Sequence, residues 1–285
     1  MNANPVIPAT LPVIPAKAGI HKVIDSRLRG NDAVALALTM GDTCLILSQR
    51  LSEWCGKGPA IEEDMALTNT ALDLLGQARL WLALAGELQG QGRDEDKLAF
   101  HRDTSEFKNL LIAELPNVFG GSGANTRRDY AYTLVRQFLF DAWHYLMLQS
   151  LQNHANPRIA EIAAKSLKEV AYHVRRTSDL MVRLGDGTAE SHQRIQTAVN
   201  QLWPYTGEMF AGEMFAGEMF QVNESLRSAW LTFIGDILME ATLSMPDANA
   251  WMHKGIAAGG SHTEHLGYLL AEMQYLQRTY PDATW

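Results

Sequence analysis

The stretch from Arg50 through Gly56-Lys-Gly-Pro59 to Arg79 constrains the fold most, because it reads as a turn between two long helices that carries carboxylates into an otherwise apolar bundle. Leu67, Ala71, Leu74, Leu75, Ala78 and Leu82 recur at helical spacing and form one apolar face, with Asp73 within or beside that stripe. A carboxylate there requires a metal, a charged side chain or a hydrogen-bond network, because an unpaired buried charge is either costly or neutralised. The histidine that usually accompanies such a carboxylate in a metal-binding bundle is absent, since Asp73-Leu-Leu-Gly76 ends in glycine.

The chain has 285 residues, 47% of them apolar, enough for a sizeable core. A formal charge of −8, with no basic cluster beyond a short N-terminal stretch, excludes a nucleic-acid backbone as the expected partner. Cys44 and Cys55 fall on the first expected helix, about 16 Å apart along its axis, too far for a disulfide. They read as small buried hydrophobes of a reducing, cytoplasmic setting. Pro5, Pro8, Pro12 and Pro15 interrupt every apolar run at the N-terminus, so a secretion signal is not expected, and no uninterrupted apolar window supports a membrane span. Residues 1–33 read as a disordered appendage, with Met40 as an alternative translation start.

From there onward the periodicity predicts helix upon helix, over 35–56, 61–89, 104–114, 127–152, 158–184, 191–209, 223–244 and 262–279. Asn156 with Pro157 reads as a helix start, and Ser261-His-Thr-Glu264 has the spacing of a capping box. The expected architecture is all-α, a single helical-bundle domain over 34–285. Gly207-Glu-Met-Phe210 recurs at Gly212 and Gly217. A five-residue step rotates each copy by about 140° around a helix, so the repeat reads as a duplicated insertion near 207–220 rather than a regular amphipathic helix.

A di-iron or di-manganese bundle takes one Glu from each of two helices and a Glu-x-x-His pair from each of the other two, because positions i and i+3 share a face. No Glu-x-x-His occurs in this sequence. The nearest approaches are Asp141-Ala-Trp-His144, Glu169 with His173, and Asp73 with Gly76. Asp73, Asp141, His144, Glu169 and His173 are therefore the candidate site residues, as a vestigial metal site or as a structural polar network, the latter with Arg136 or Lys165 as partner and favoured. His262-Thr-Glu-His265 lacks the spacing of a zinc site, so Glu264 is expected to cap and His265 to pack. Phosphate-binding glycine loops and the nucleophile elbow are absent.

Long ordered blocks carry a resemblance. They are Gly41-Asp-Thr-Cys-Leu-Ile-Leu-Ser-Gln-Arg50 with Leu51-Ser-Glu-Trp-Cys-Gly56, the helix from Asp64 to Arg79, Phe138-Leu-Phe-Asp-Ala-Trp-His144, Lys168-Glu-Val-Ala-Tyr-His173, His262-Thr-Glu-His-Leu-Gly267 and Leu270 to Arg278. Over roughly 40–285 the chain resembles the structural C subunits of the bacterial phenylacetyl-CoA 1,2-epoxidases, while residues 1–33 and the Gly-Glu-Met-Phe repeat depart from that pattern. The resemblance implies a ferritin-like fold and a role in aerobic phenylacetate catabolism beside a homologous catalytic A subunit and further subunits. It implies that the di-iron centre lies in the A subunit and that electrons come from a reductase carrying FAD and an iron-sulfur cluster. This chain is then expected to hold no catalytic, cofactor or metal residues, and to meet neither nucleic acid nor membrane. The competing reading is an autonomous metal-dependent ferritin-like oxygenase with a nonstandard site.

Overall fold

The computed structural model describes residues 30–118, 128–211, 219–247, 252–256, 259–281 and 283. Of the appendage expected over residues 1–33, residues 1–29 lie outside the described residues, as does the second copy of the Gly-Glu-Met-Phe repeat, whereas residues 30–33 are helical and Ala33 is buried.

The described chain is all-α and of the ferritin-like kind. Four long helices form its centre: α1 (Gly30–Ser52), α2 (Ile61–Gln89), α5 (Tyr130–Leu151) and α6 (Pro157–Gly185). Short helices α3 (Glu95–Phe100) and α4 (Leu111–Glu114) lie between the two pairs. Helices α7 (Ala189–Leu202), α8 (Met219–Glu240), α9 (Glu264–Met273) and α10 (Tyr275–Thr279) follow.

Local chemistry sets the ends of these helices. Helix α2 stops where Gly90 adopts the left-handed φ of 63° and donates back to the Gly86 carbonyl. Helix α6 starts as its sequence predicts, with the Asn156 side chain accepting from the Arg158 amide and Pro157 in the first turn. Packing then assembles them: α1 lies along α2, α5 along α6, and α2 crosses to α6. A Cβ on Gly41 would come within 2.8 Å of Leu82, so glycine there lets α1 and α2 approach closely. Helix α5 is buried nearly all round, and α7 and α8 cover the sides that α6 leaves open. Asp32–Ser52 of α1 is long and apolar enough to cross a membrane, yet it is mostly buried, as the core helix of a bundle is.

Several expectations are corrected. Residues 104–114 are not one helix: a 3-10 turn (Thr104–Glu106), an extended segment and α4 replace it, because the Lys108 and Leu110 amides donate to Asp42 and Thr43 of α1 instead of continuing a helix. The expected helix 191–209 ends at Leu202, with Pro204 inside the 3-10 turn that follows. The expected helix 262–279 divides into α9 and α10 and begins at Glu264, with Thr263 rather than Ser261 in the capping position. No side-chain cap forms there, because the Thr263 hydroxyl and amide both donate to Glu114 instead. Cys55 lies beyond the end of α1 and is exposed; Cys44 is buried, and both are free thiols. The first copy of the repeat, Gly207–Phe210, forms a 3-10 turn with Glu208, Met209 and Phe210 buried.

Candidate functional site: a polar centre within the bundle

The sequence-predicted site residues converge from three of the four central helices. On α2 and α6, Asp73 Oδ2 lies 2.9 Å from His173 Nε2, and Gln77 donates to Glu169 Oε2 at 2.9 Å. Deeper, on α5, Gln137 donates to Asp141 Oδ1 at 2.6 Å, and Thr177 of α6 lies 3.3 Å from Asp141 Oδ2. Helix α1 contributes Cys44, whose thiol is pushed up by burial and then by the negative charge of Glu169. Sequence reasoning missed Gln77, Gln137 and Thr177, although Gln77 and Gln137 each sit four residues from a predicted site carboxylate on the same helix face.

The partners expected for this network are elsewhere. Arg136 points away from it, donating to the Leu115 carbonyl and, at 2.7 Å, to Asn117 Oδ1. Lys165 is exposed, so the carboxylates are held by amides, a hydroxyl and an imidazole rather than by those two cations.

Electrostatics within the centre follow from burial. Asp141 is fully buried and its carboxyl is pushed up to about 6 by desolvation, against the opposing pull of His173 and the Gln137 hydrogen bond. Protonation suits the geometry: a neutral Asp141 can donate to Thr177, leaving the threonine hydroxyl to donate to the His173 carbonyl at 2.9 Å. His144 is pushed down to about 3, first by burial and then by neighbouring His173, so its ring is neutral. Among the described residues, neither His144 nitrogen, nor Nδ1 of His173, has a hydrogen-bond partner.

Asp141 therefore has a definite pH signature. Its folded value is raised above the ordinary 3.8, so its contribution is fully present below about 4 and is lost as pH rises through about 6. Asp141→Asn removes that loss, and relative to the parent it is expected to gain up to about 3 kcal/mol between pH 4 and pH 8. Urea titrations across that range check it, with His144 contributing the opposite slope in both proteins.

These side chains do not fit a di-iron centre. Among the described residues, no group of three or more His, Cys, Asp or Glu is placed to hold one metal ion. The carboxylates face their own protein partners, and Gly76 presents open space where the metal-binding pattern would place histidine. What the arrangement does is join α2, α5 and α6 through paired polar groups. Beside it a cleft of about 440 Å³ opens between α2 and α6, lined among others by Leu72, Asp73, Gly76, Gln77, Ser166 and Glu169.

A second polar cluster involves the His262 motif. Glu114, fully buried on α4, accepts from Asn109 at 2.9 Å, from the Thr263 amide at 2.7 Å, from the Thr263 hydroxyl at 2.6 Å and from His262 Nδ1 at 2.5 Å. His265 contributes a carbonyl, which accepts from Arg50 at 3.3 Å.

Comparison with known proteins places this geometry. The model of a family described as "Phenylacetic acid catabolic protein" matches residues 25–285. The chain is 45% identical over 260 residues to the C subunit of 1,2-phenylacetyl-CoA epoxidase from Escherichia coli (strain K12), covering 90% of this chain and 100% of that protein. With an all-α bundle, a polar centre at its middle and a family match along nearly its whole length, this chain belongs to the phenylacetic acid catabolic protein family.

Proposed function

We propose that this chain is the C-type subunit of a phenylacetyl-CoA epoxidase, a non-catalytic support for a homologous A-type subunit that holds the di-iron centre. The observation that carries this reading is the pairing of Asp73 with His173, Gln77 with Glu169, and Gln137 with Asp141. Four of the five candidate residues, Asp73, Asp141, Glu169 and His173, are taken up by protein partners, and so contribute to cohesion of the bundle rather than to chemistry. The similarity to the C subunit of an epoxidase supplies the reaction and the pathway. In this reading the further subunits include a reductase with FAD and an iron-sulfur cluster, and the complex works in the cytoplasm without membrane or nucleic acid. On the same reading a single domain carries an N-terminal appendage that ends ahead of Ala33, which is buried in the core; the family match begins at residue 25.

The test is the double variant His144→Gln with His173→Gln in the fully assembled complex. Assembly is first checked by size-exclusion chromatography, and the iron content of each separated subunit is measured. Single-turnover formation of epoxide is expected to stay within about tenfold of the parent, or about 1.4 kcal/mol of barrier. Stability of the assembly is expected to fall more than turnover. Loss of all turnover with normal assembly and normal partner iron, or two iron atoms in this chain lost on Asp141→Ala, would replace this reading by an autonomous metal-dependent oxygenase.

A further inference from the structure

Helix α2 has two apolar faces, and the described residues cover only one. Leu67, Leu74, Ala78, Trp81 and Leu82 are buried against the bundle. On the other side Ile61, Met65, Leu72 and Leu75 are 72%, 61%, 61% and 43% exposed. Their steps of four, seven and three residues keep them within about 80° around the axis and spread them along about 21 Å of helix. Leu75, which the periodicity assigns to the core, belongs to this outer stripe. An exposed apolar stripe of this kind, interrupted by Thr68 between Met65 and Leu72, marks an interaction surface.

The α2/α6 cleft opens beside the stripe, and the two share Leu72. Open space beyond Gly76 forms its mouth, and exposed Tyr172 lies one turn beyond Glu169 on α6. Two unused polar atoms belong to buried residues that line it: Gln77 Oε1 and Ser166 Oγ have no hydrogen-bond partner among the described residues, and both residues are at least 99% buried. Glu169 is held there by an amide, not a cation. Arg79, at the rim, is already paired with Glu95 at 3.1 Å. With Asp73 already held by His173, the groups that remain for a partner are the Glu169 carboxylate, Gln77 Oε1 and Ser166 Oγ, so the cleft complements a cationic hydrogen-bond donor on an aliphatic stem.

We infer that the outer stripe of α2 and the adjoining cleft form the docking surface for the homologous A-type subunit. That subunit lays an apolar helix face along Ile61, Met65, Leu72 and Leu75, and inserts one lysine or arginine side chain into the cleft toward Gln77, Ser166 and Glu169. The inference rests on the subunit reading above and adds the surface and its chemistry.

Binding of the full-length chain to the purified A-type subunit of the same organism, measured by interferometry, tests it. Met65→Asp with Leu72→Asp is expected to weaken binding by about 100-fold, and Gly76→Trp, which fills the cleft mouth, by at least about tenfold. Circular dichroism and Tm are expected to be unchanged, because those side chains face solvent in the isolated chain. Tyr268→Asp with Tyr275→Asp, on the exposed face of α9 and α10, is the control and is expected to bind normally. Normal binding by the α2 variants, or loss of self-association alone, would overturn the surface while leaving the subunit reading intact. No binding by the parent chain would overturn both.

Discussion

Replacing Arg102 by methionine is expected to destabilise the chain by about 3–5 kcal/mol, the largest cost expected from the loss of any one charged side chain in this fold. Arg102 is buried in the connection after α3, with Asp42 of α1 fully buried opposite it. Its Nη1 donates to Asp42 Oδ2 at 3.0 Å and to the Glu106 carbonyl at 3.1 Å, while Nη2 completes the pair with Oδ1. The guanidinium also stands 4.3 Å from the Phe107 ring centre. Methionine retains much of the volume but strands a buried carboxylate. A Tm lower by roughly 10 °C is expected by calorimetry. Asp42→Asn combined with Arg102→Met removes the stranded charge, keeps an acceptor for the Lys108 amide, and is expected to recover at least about 2 kcal/mol of the loss. Additive losses in the double variant would show that packing, not charge, sets the cost.

His262→Gln is expected to cost about 2–3 kcal/mol at pH 6. Nδ1 of His262 faces a Glu114 oxygen at 2.5 Å and Nε2 faces the Phe107 carbonyl at 3.0 Å. Neither acceptor has a proton to give, so both nitrogens donate and the ring is an imidazolium. Burial works against that charge, but the hydrogen bond and charge of Glu114, then the Phe107 carbonyl and Glu208, raise its folded value above 6.5. The stability this raised value contributes is therefore fully present below the unfolded value near 6.5 and is lost as pH rises through the higher folded one. The gap between parent and His262→Gln is expected to narrow between pH 6 and pH 9 in chemical denaturation. A gap independent of pH would mean that the ring is neutral in the folded chain.

Both effects join segments far apart in sequence, and that separation explains what can be read from residues alone. Helix α2 is legible to the residue, from Ile61 to Gln89, because its bounds depend on Pro59, the apolar period and Gly90, all of them local. The Asn156-Pro157 start of α6 is equally local. Absence of the Glu-x-x-His spacing and the long family blocks likewise need only residue order. Periodicity does not say which apolar face meets the core, so Leu75 reads as inside when it lies outside. Nor does it say which of several buried polar groups face one another. Asp73 meets His173 a hundred positions away, and Arg136 leaves the polar centre for Leu115 and Asn117, because the rotation and crossing of packed helices decide which side chains meet. The sequence by itself determined the long central helices, the missing metal pattern and the family. Tertiary structure decided the pairings, the inward use of the first Gly-Glu-Met-Phe copy and the open second face of α2, since each depends on contacts between elements that no local hydrogen bond or side-chain period specifies.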